Sequence, residues 1–93
     1  MTLKEIIKVP TTKIIDVRTE QEFAMGHFEN AINIPLDTIP ANAEKIKNFN
    51  APSLVFYCRS GGRSGQAVNY LRQLGFENIF NGGGLDDMNY LLN

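Results

Sequence analysis

Within seven residues, Cys58-Arg59-Ser60-Gly61-Gly62-Arg63-Ser64, the sequence gathers a nucleophile, two cations, two hydroxyls and a pair of adjacent glycines. An apolar run, Ser53 to Tyr57, precedes this stretch. The segment after it repeats apolar residues at helical spacing, Ala67, Val68, Leu71 and Leu74. A strand, a glycine turn and a helix N-terminus put the stretch at the carboxyl edge of a sheet, where open α/β folds bind ligands. Gly61 and Gly62 let the backbone curl so that several N–H groups face inward and, with the helix dipole, form an anion cradle. Cys58 stands at its entrance, with Arg59 and Arg63 adding positive charge. A free thiol has a pKa of about 8.5, and helix N-termini and nearby cations lower it to roughly 3.5–7.5. The chemistry expected is therefore that of a thiolate nucleophile. The same N–H groups, with Ser60 and Ser64, would hold an anionic substrate or the charged sulfur of a modified cysteine. A buried core cysteine is the plainer alternative, but two arginines and two glycines make a poor core.

Spacing narrows the reaction. Cysteine-dependent phosphatases built on a strand, loop and helix place five residues between cysteine and arginine, a ring wide enough for a tetrahedral phosphate. Here Arg63 follows Cys58 after four. The tighter loop suits a smaller group on sulfur, as in a persulfide, and disfavours a phosphatase or arsenate reductase.

The elements that must position this loop read as alternating strands and helices. Lys13 to Arg18 is a β-branched strand ending in charge. Thr19 caps a short helix, with Glu22 at the spacing of a capping box and Gly26 as its stop. Ala31 to Ile34 is a second strand, ended by Pro35. Leu36 to Ile39 reads as a turn and Pro40 as the start of a helix reaching Phe49. Ser53 to Tyr57 is a central strand covered on both faces. A helix from Arg63 to Leu74 is closed by Gly75, Asn78 to Phe80 is the next strand, and Leu85 to Leu92 is a last helix. Leu3 to Val9 fits either a helix or an edge strand. Together these predict an α/β domain of three layers, a mostly parallel sheet of about five strands flanked by helices.

Composition bounds what the loop can belong to. Ninety-three residues, 43% of them apolar, make one small domain spanning 1–93. One cysteine excludes an internal disulfide, and with one histidine it makes no four-ligand zinc site unless carboxylates and a partner chain contribute. No metal or organic cofactor is expected. A net charge of -1 offers no broad basic surface for nucleic acid or acidic membrane. Lys4, Glu5 and Lys8 interrupt the apolar residues at the start, and no run is long enough to span a bilayer. A soluble, cytoplasmic monomer is the expectation, although an exported chain freed of its signal would read the same.

Three separate motifs in register resemble the rhodanese family over nearly the whole chain. Asp16-Val17-Arg18, Glu22-Phe23, Gly26-His27-Phe28 and Asn30 to Pro35 are similar to its amino-terminal signature. Cys58 to Ser64 is similar to its active-site loop, and Asn81-Gly82-Gly83-Gly84-Leu85 to its terminal glycine motif. Ser64-Gly65-Gln66-Ala67 and the Gly-Gly-Leu ending most resemble the small single-domain branch of phage shock protein E. The resemblance implies a sulfurtransferase. Cys58 would take a sulfane sulfur from a small anionic donor such as thiosulfate, form a persulfide, and deliver it to cyanide, a thiol or a protein cysteine. The cradle from Arg59 to Arg63 would hold the persulfide, and the two arginine side chains would orient the donor. An alternative within the family is a sulfur-carrying or regulatory module that hands its sulfur only to a partner. Met88 departs from the pattern, standing where many members have tryptophan, which would soften the packing under the loop.

The other marked residues have structural readings. Asp16 and Arg18 would form a supporting charge lattice, with Glu22 joining it. His27 follows a helix-ending glycine and reads as a hydrogen-bonding turn residue. Asp86 and Asp87 read as the acidic first turn of the last helix.

Overall fold

The computed structural model describes residues 1–93. Its sheet is built outward from a strand with no polar side. Leu54–Cys58 (β3) is buried at every position. Leu54, Phe56 and Cys58 face one layer and Val55 and Tyr57 the other, as the two-residue period of a strand requires. Burying one such side chain is worth roughly 1.5–3 kcal/mol, against ~1–2 kcal/mol to fix a residue's backbone. Cover on both faces is what lets so short a strand hold.

Lys13–Asp16 (β1) and Ile79–Gly84 (β4) flank β3, and Ile32–Asn33 (β2) lies outside β1. All pairings are parallel, in the order β2-β1-β3-β4. On one face, Gly62–Gln73 (the fourth helix, α4) lays Ala67, Val68 and Leu71 against Ile15, Phe56 and Cys58, and Ala43–Asn48 (α3) adds Ile46. On the other, Leu3–Ile6 (α1) and Leu85–Leu91 (α5) bring Ile6, Ile7 and Met88 over Ile14, Val55 and Tyr57. Glu20–Ala24 (α2) follows β1. These are the three layers expected. No helix is long and apolar enough to cross a membrane.

The sheet has four strands where about five were expected, because the N-terminal segment is helical. Thr2 and Glu5 form a capping box, Glu5 N–H to Thr2 Oγ1 at 3.2 Å and Thr2 N–H to Glu5 Oε1 at 2.8 Å. Ile6 and Ile7 are then both buried, which adjacent residues of a strand above a single core could not be. The chain after Pro35 enters α3 through two 3₁₀ turns, Leu36–Thr38 and Pro40–Asn42. The expected boundary at Pro40 therefore marks a 3₁₀ turn, and the α-helix proper starts three residues later. The last strand does not stop at Phe80 but runs through the glycines to Gly84. The register shifts there, so that Phe56 pairs with Asn81 and Tyr57 with Gly83. Glycine is depleted in strands, and nothing local marks this run as one. The capping box of Thr19 and Glu22 is present as expected.

The carboxyl ends of β1, β3 and β4 meet at one sheet edge. Beneath that edge the Tyr57 hydroxyl donates to Asp16 Oδ2 and accepts from Phe28 N–H, each at 2.8 Å. Burial pushes the Tyr57 phenol up to about 12, so it remains a donor. Asp16, fully buried, also receives the Arg18 side chain, with Nη2 at 2.7 Å from Oδ2. Tyr57→Phe strips Phe28 N–H of its acceptor and Asp16 of one donor. It is expected to cost roughly 1–3 kcal/mol, read from the urea midpoint at unchanged denaturant slope.

Candidate active site

β3 delivers Cys58 to the sheet edge and α4 begins at Gly62, leaving three residues to turn the chain. Gly61 makes the turn possible. It is the N-cap of α4 at φ +101°, a left-handed conformation open to glycine and strained for residues with a side chain. In this geometry the Gly61 N–H donates to Cys58 Sγ at 3.0 Å, and Ser64 Oγ lies 3.5 Å from the sulfur. Burial raises the thiol pKa. Hydrogen bonds from the Ser64 hydroxyl and from the N–H groups of Ser64, Ser60 and Gly61 outweigh it and bring Cys58 down to about 7. A cysteine only 1% exposed is thus partly ionised near neutral pH, its thiolate held by main-chain donors at a helix N-terminus.

The loop lies on a floor without side chains. A Cβ on Gly84 would collide with the Arg59 carbonyl, reaching 2.9 Å from its carbon, and one on Gly61 would stand 3.3 Å from Gly83 Cα. Gly84 N–H is held by Asp87 Oδ2 at 2.7 Å, so Asp87 secures the end of this floor as well as acidifying the first turn of α5. Met88, fully buried, packs its sulfur against Gly82, filling the place below the floor.

The two arginines of the loop have different environments. Arg63 forms a two-pronged ion pair with Glu22, Nη1 to Oε1 at 2.7 Å and Nη2 to Oε2 at 3.1 Å. The Arg63 guanidinium and the Thr19 N–H hold the Glu22 carboxyl down at about 2. Arg59 is exposed and enters no ion pair. Glu22 is accordingly the partner of Arg63, not a member of an Asp16–Arg18 lattice. That lattice exists separately, tied to Tyr57 and, through Arg18 Nη2, to the Gly26 carbonyl at 2.7 Å. Beside the loop opens a cleft of about 320 Å³, lined by Arg18, Glu22, Met25, Arg59, Leu85 and Asp86. No group of three or more His, Cys, Asp or Glu side chains is placed to hold a metal ion. His27 stacks on Phe23 with ring centroids 3.7 Å apart and places Nδ1 3.0 Å from the Phe23 carbonyl, a turn-stabilising position away from the sulfur.

Cys58, Ser60, Gly61 and Ser64 are thus brought together around the sulfur. Gly62 is the exposed first residue of α4, and Arg59 and Arg63 flank the loop. Asp16 and Arg18 lie beneath it. The residue that sequence reasoning passed over is Asn81, whose amide touches the loop at Gly61 and Ser64.

A parallel sheet with a cysteine cradle at its edge defines a class of α/β domain, and the comparisons give its family. The model of the rhodanese-like domain matches residues 2–87, and the chain belongs to that family. It is 35% identical over 82 residues to the tRNA uridine(34) hydroxylase of Hamiltonella defensa subsp. Acyrthosiphon pisum, a match covering 84% of this chain and 23% of that one. The chain thus spans about a quarter of the length of that curated relative. Among solved structures it is similar to a rhodanese with anions from E. coli (TM-score 0.75, 33% identity, 82% of this chain and 89% of that one). It is also similar to a human single-domain sulfurtransferase (TM-score 0.75, 27% identity, 95% and 89%).

A thiol pKa lowered from 9.0 to about 7 fixes the pH dependence. Iodoacetamide should alkylate native Cys58 with a midpoint near pH 7, and the urea-unfolded chain with one near that of an ordinary cysteine. Because the folded value is the lower, this group's contribution to stability is complete above pH 9 and fades as the pH falls through 7. Gly84→Ala should push the loop off its floor and raise the native midpoint; an unmoved midpoint would show that the collision is relieved elsewhere.

Proposed function

We propose that this domain carries a sulfane sulfur on Cys58 as a persulfide and hands it to a thiol acceptor held by a partner. The observation that carries this reading is the Cys58 sulfur, charged near neutral pH and cradled by the Gly61 N–H at 3.0 Å with Ser60 and Ser64. In the first half-reaction the Cys58 thiolate attacks the outer sulfur of a donor such as thiosulfate. A new S–S bond forms, the old one breaks, and sulfite departs with the electron pair. In the second, an acceptor thiolate attacks the outer sulfur of the persulfide, the S–S bond breaks, and the Cys58 thiolate is regenerated. No cofactor and no net oxidation are required.

Burial supports delivery in this direction. Attack on the outer sulfur transfers it, whereas attack on Sγ would release hydrosulfide and leave a mixed disulfide. Sγ is buried within reach of the Gly61 N–H, so an outer sulfur bonded to it at about 2.05 Å would be the atom more open to an acceptor. Arg59, unpaired at the mouth, suits the attraction of an anionic donor. Arg63, already neutralised by Glu22, contributes to the loop's anchoring more than to its charge. The likeness to a rhodanese with anions supports anion binding at such a loop. Ser64-Gly65-Gln66-Ala67 and the Gly-Gly-Leu ending support a place near the phage shock protein E branch. A reducing, cytoplasmic setting suits thiol acceptors.

Delivery to a partner is favoured because the hydroxylase match spans only 23% of that protein, so this kind of domain works there beside further chain. A second reading, free turnover of small acceptors, draws support from the single-domain sulfurtransferase, 89% of which this chain covers. Intact-mass analysis after incubation with thiosulfate should show one added sulfur on the wild type and none on Cys58→Ser. Absence of the adduct from the wild type would falsify both readings. Cyanide turnover well below the ~1–10³ s⁻¹ usual for enzymes is expected for the carrier, and turnover within that range would establish the second reading instead.

A further inference from the structure

Asn81 sits on the edge strand β4, exposed on its outer side, yet every polar atom of its side chain that faces the loop is engaged. Its Nδ2 donates to the Gly61 carbonyl at 3.0 Å. Its Oδ1 accepts from Ser64 Oγ at 2.7 Å and from Gly83 N–H at 3.0 Å. The partners dictate which way the amide points: Gly83 N–H can only donate, and the Gly61 carbonyl can only accept. One side chain thereby joins the glycine floor to both of the loop residues nearest the sulfur.

Gly61 is where this grip has most effect. Its N–H is the donor 3.0 Å from Cys58 Sγ, and its own side chain offers nothing to fix its orientation. Its carbonyl accepts from Gly65 N–H at 2.9 Å, the first amide bond of α4, and from Asn81 Nδ2, with Ser64 Oγ 3.2 Å away. Releasing the Asn81 hold loosens a glycine at φ +101°, which can then drift toward conformations in which its N–H leaves the sulfur. Ser64 presents a competing possibility. Its hydroxyl has one proton and three acceptors in reach, Asn81 Oδ1 at 2.7 Å, the Gly61 carbonyl at 3.2 Å and Cys58 Sγ at 3.5 Å. If competition for that proton were the main effect of Asn81, deleting the amide would turn the hydroxyl toward the sulfur and strengthen the cradle.

We propose that Asn81 is a positioning residue for the Cys58 reaction, holding the Gly61 peptide so that its N–H stays aimed at the sulfur. The proposal rests on Cys58 as the reacting sulfur, and its test requires only the thiol. The pH profile of iodoacetamide alkylation is measured for wild type, Asn81→Ala, Ser64→Ala and the double variant, with thermal midpoints as a control for folding. Because Asn81 is exposed, its replacement should leave the fold intact. Asn81→Ala should raise the alkylation midpoint by about half a pH unit or more, roughly a threefold loss of thiolate below the midpoint. The rise should persist in the Ser64→Ala background, where no hydroxyl proton is contested. A midpoint that is unmoved or lowered by Asn81→Ala overturns the proposal, as does a rise that vanishes once Ser64 is alanine. Should thiosulfate fail to load Cys58, the sulfur-carrier reading falls while these profiles remain interpretable.

Discussion

The close approach of the Arg59 carbonyl to Gly84 governs this structure. No side chain fits between them, so the loop after β3 can fold down onto β4 only where β4 is bare. From that contact follow the left-handed Gly61, the start of α4 directly after it, and the convergence of main-chain N–H groups on Cys58. The cost is a glycine run in a strand, where each glycine forgoes side-chain packing. Met88 and Val55 offset part of it by filling the space beneath Gly82, and Asp87 by holding Gly84 N–H. Met88 is a flexible side chain suited to an irregular gap, and it is fully buried there.

The charge at the sulfur is held by dipoles more than by arginines. Arg18 is committed to Asp16 and Arg63 to Glu22, and Arg59 alone is unpaired. This arrangement separates two tasks. Neutral N–H donors fixed by the loop stabilise the thiolate without adding a counterion at the sulfur. In the proposed transfer the exposed Arg59 would be the cation free to attract an anionic donor. Glu22 also does double service, since the carboxylate that caps α2 through the Thr19 N–H pins Arg63 at the start of α4. The two sides of the sheet edge are thereby clamped to each other across the loop.

What sequence reveals here is local and what it conceals is long-range. The β-branched strand, the Gly-Gly turn, the helix face and the Thr19 capping box each show within a few residues, and each is present. Asn81 and its grip on Gly61 span twenty positions, and Glu22 and Arg63 forty-one. Both pairings depend on β1 and β4 flanking β3, which is a fact of topology. The N-terminal segment was ambiguous for a related reason. Its capping box is local, yet the packing that holds the helix, with both Ile6 and Ile7 buried, appears only once the layer above the sheet is in place. The strand reads as ending at Phe80, short of glycines 82 to 84, because their pairing is set by β3.

A thiol pKa of about 7 suits the two opposite parts that the proposed sulfur transfer would ask of Cys58. As a nucleophile toward the donor, Cys58 needs to be ionised, but nucleophilicity falls as the pKa falls, and the best attacking thiol has a pKa near the ambient pH. As the group expelled when an acceptor takes the outer sulfur, it leaves faster the lower its pKa. A value far below 7 would speed release and blunt attack, and an ordinary cysteine would do the reverse. The opposing contributions, burial raising the pKa and the cradle's hydrogen bonds lowering it, leave Cys58 between these demands. Cys58 is the one cysteine among these 93 residues, so in the proposed transfer no second thiol of this domain takes the outer sulfur. The acceptor thiol would come from beyond the domain, and the N–H groups that would favour loading the sulfur would also favour its departure.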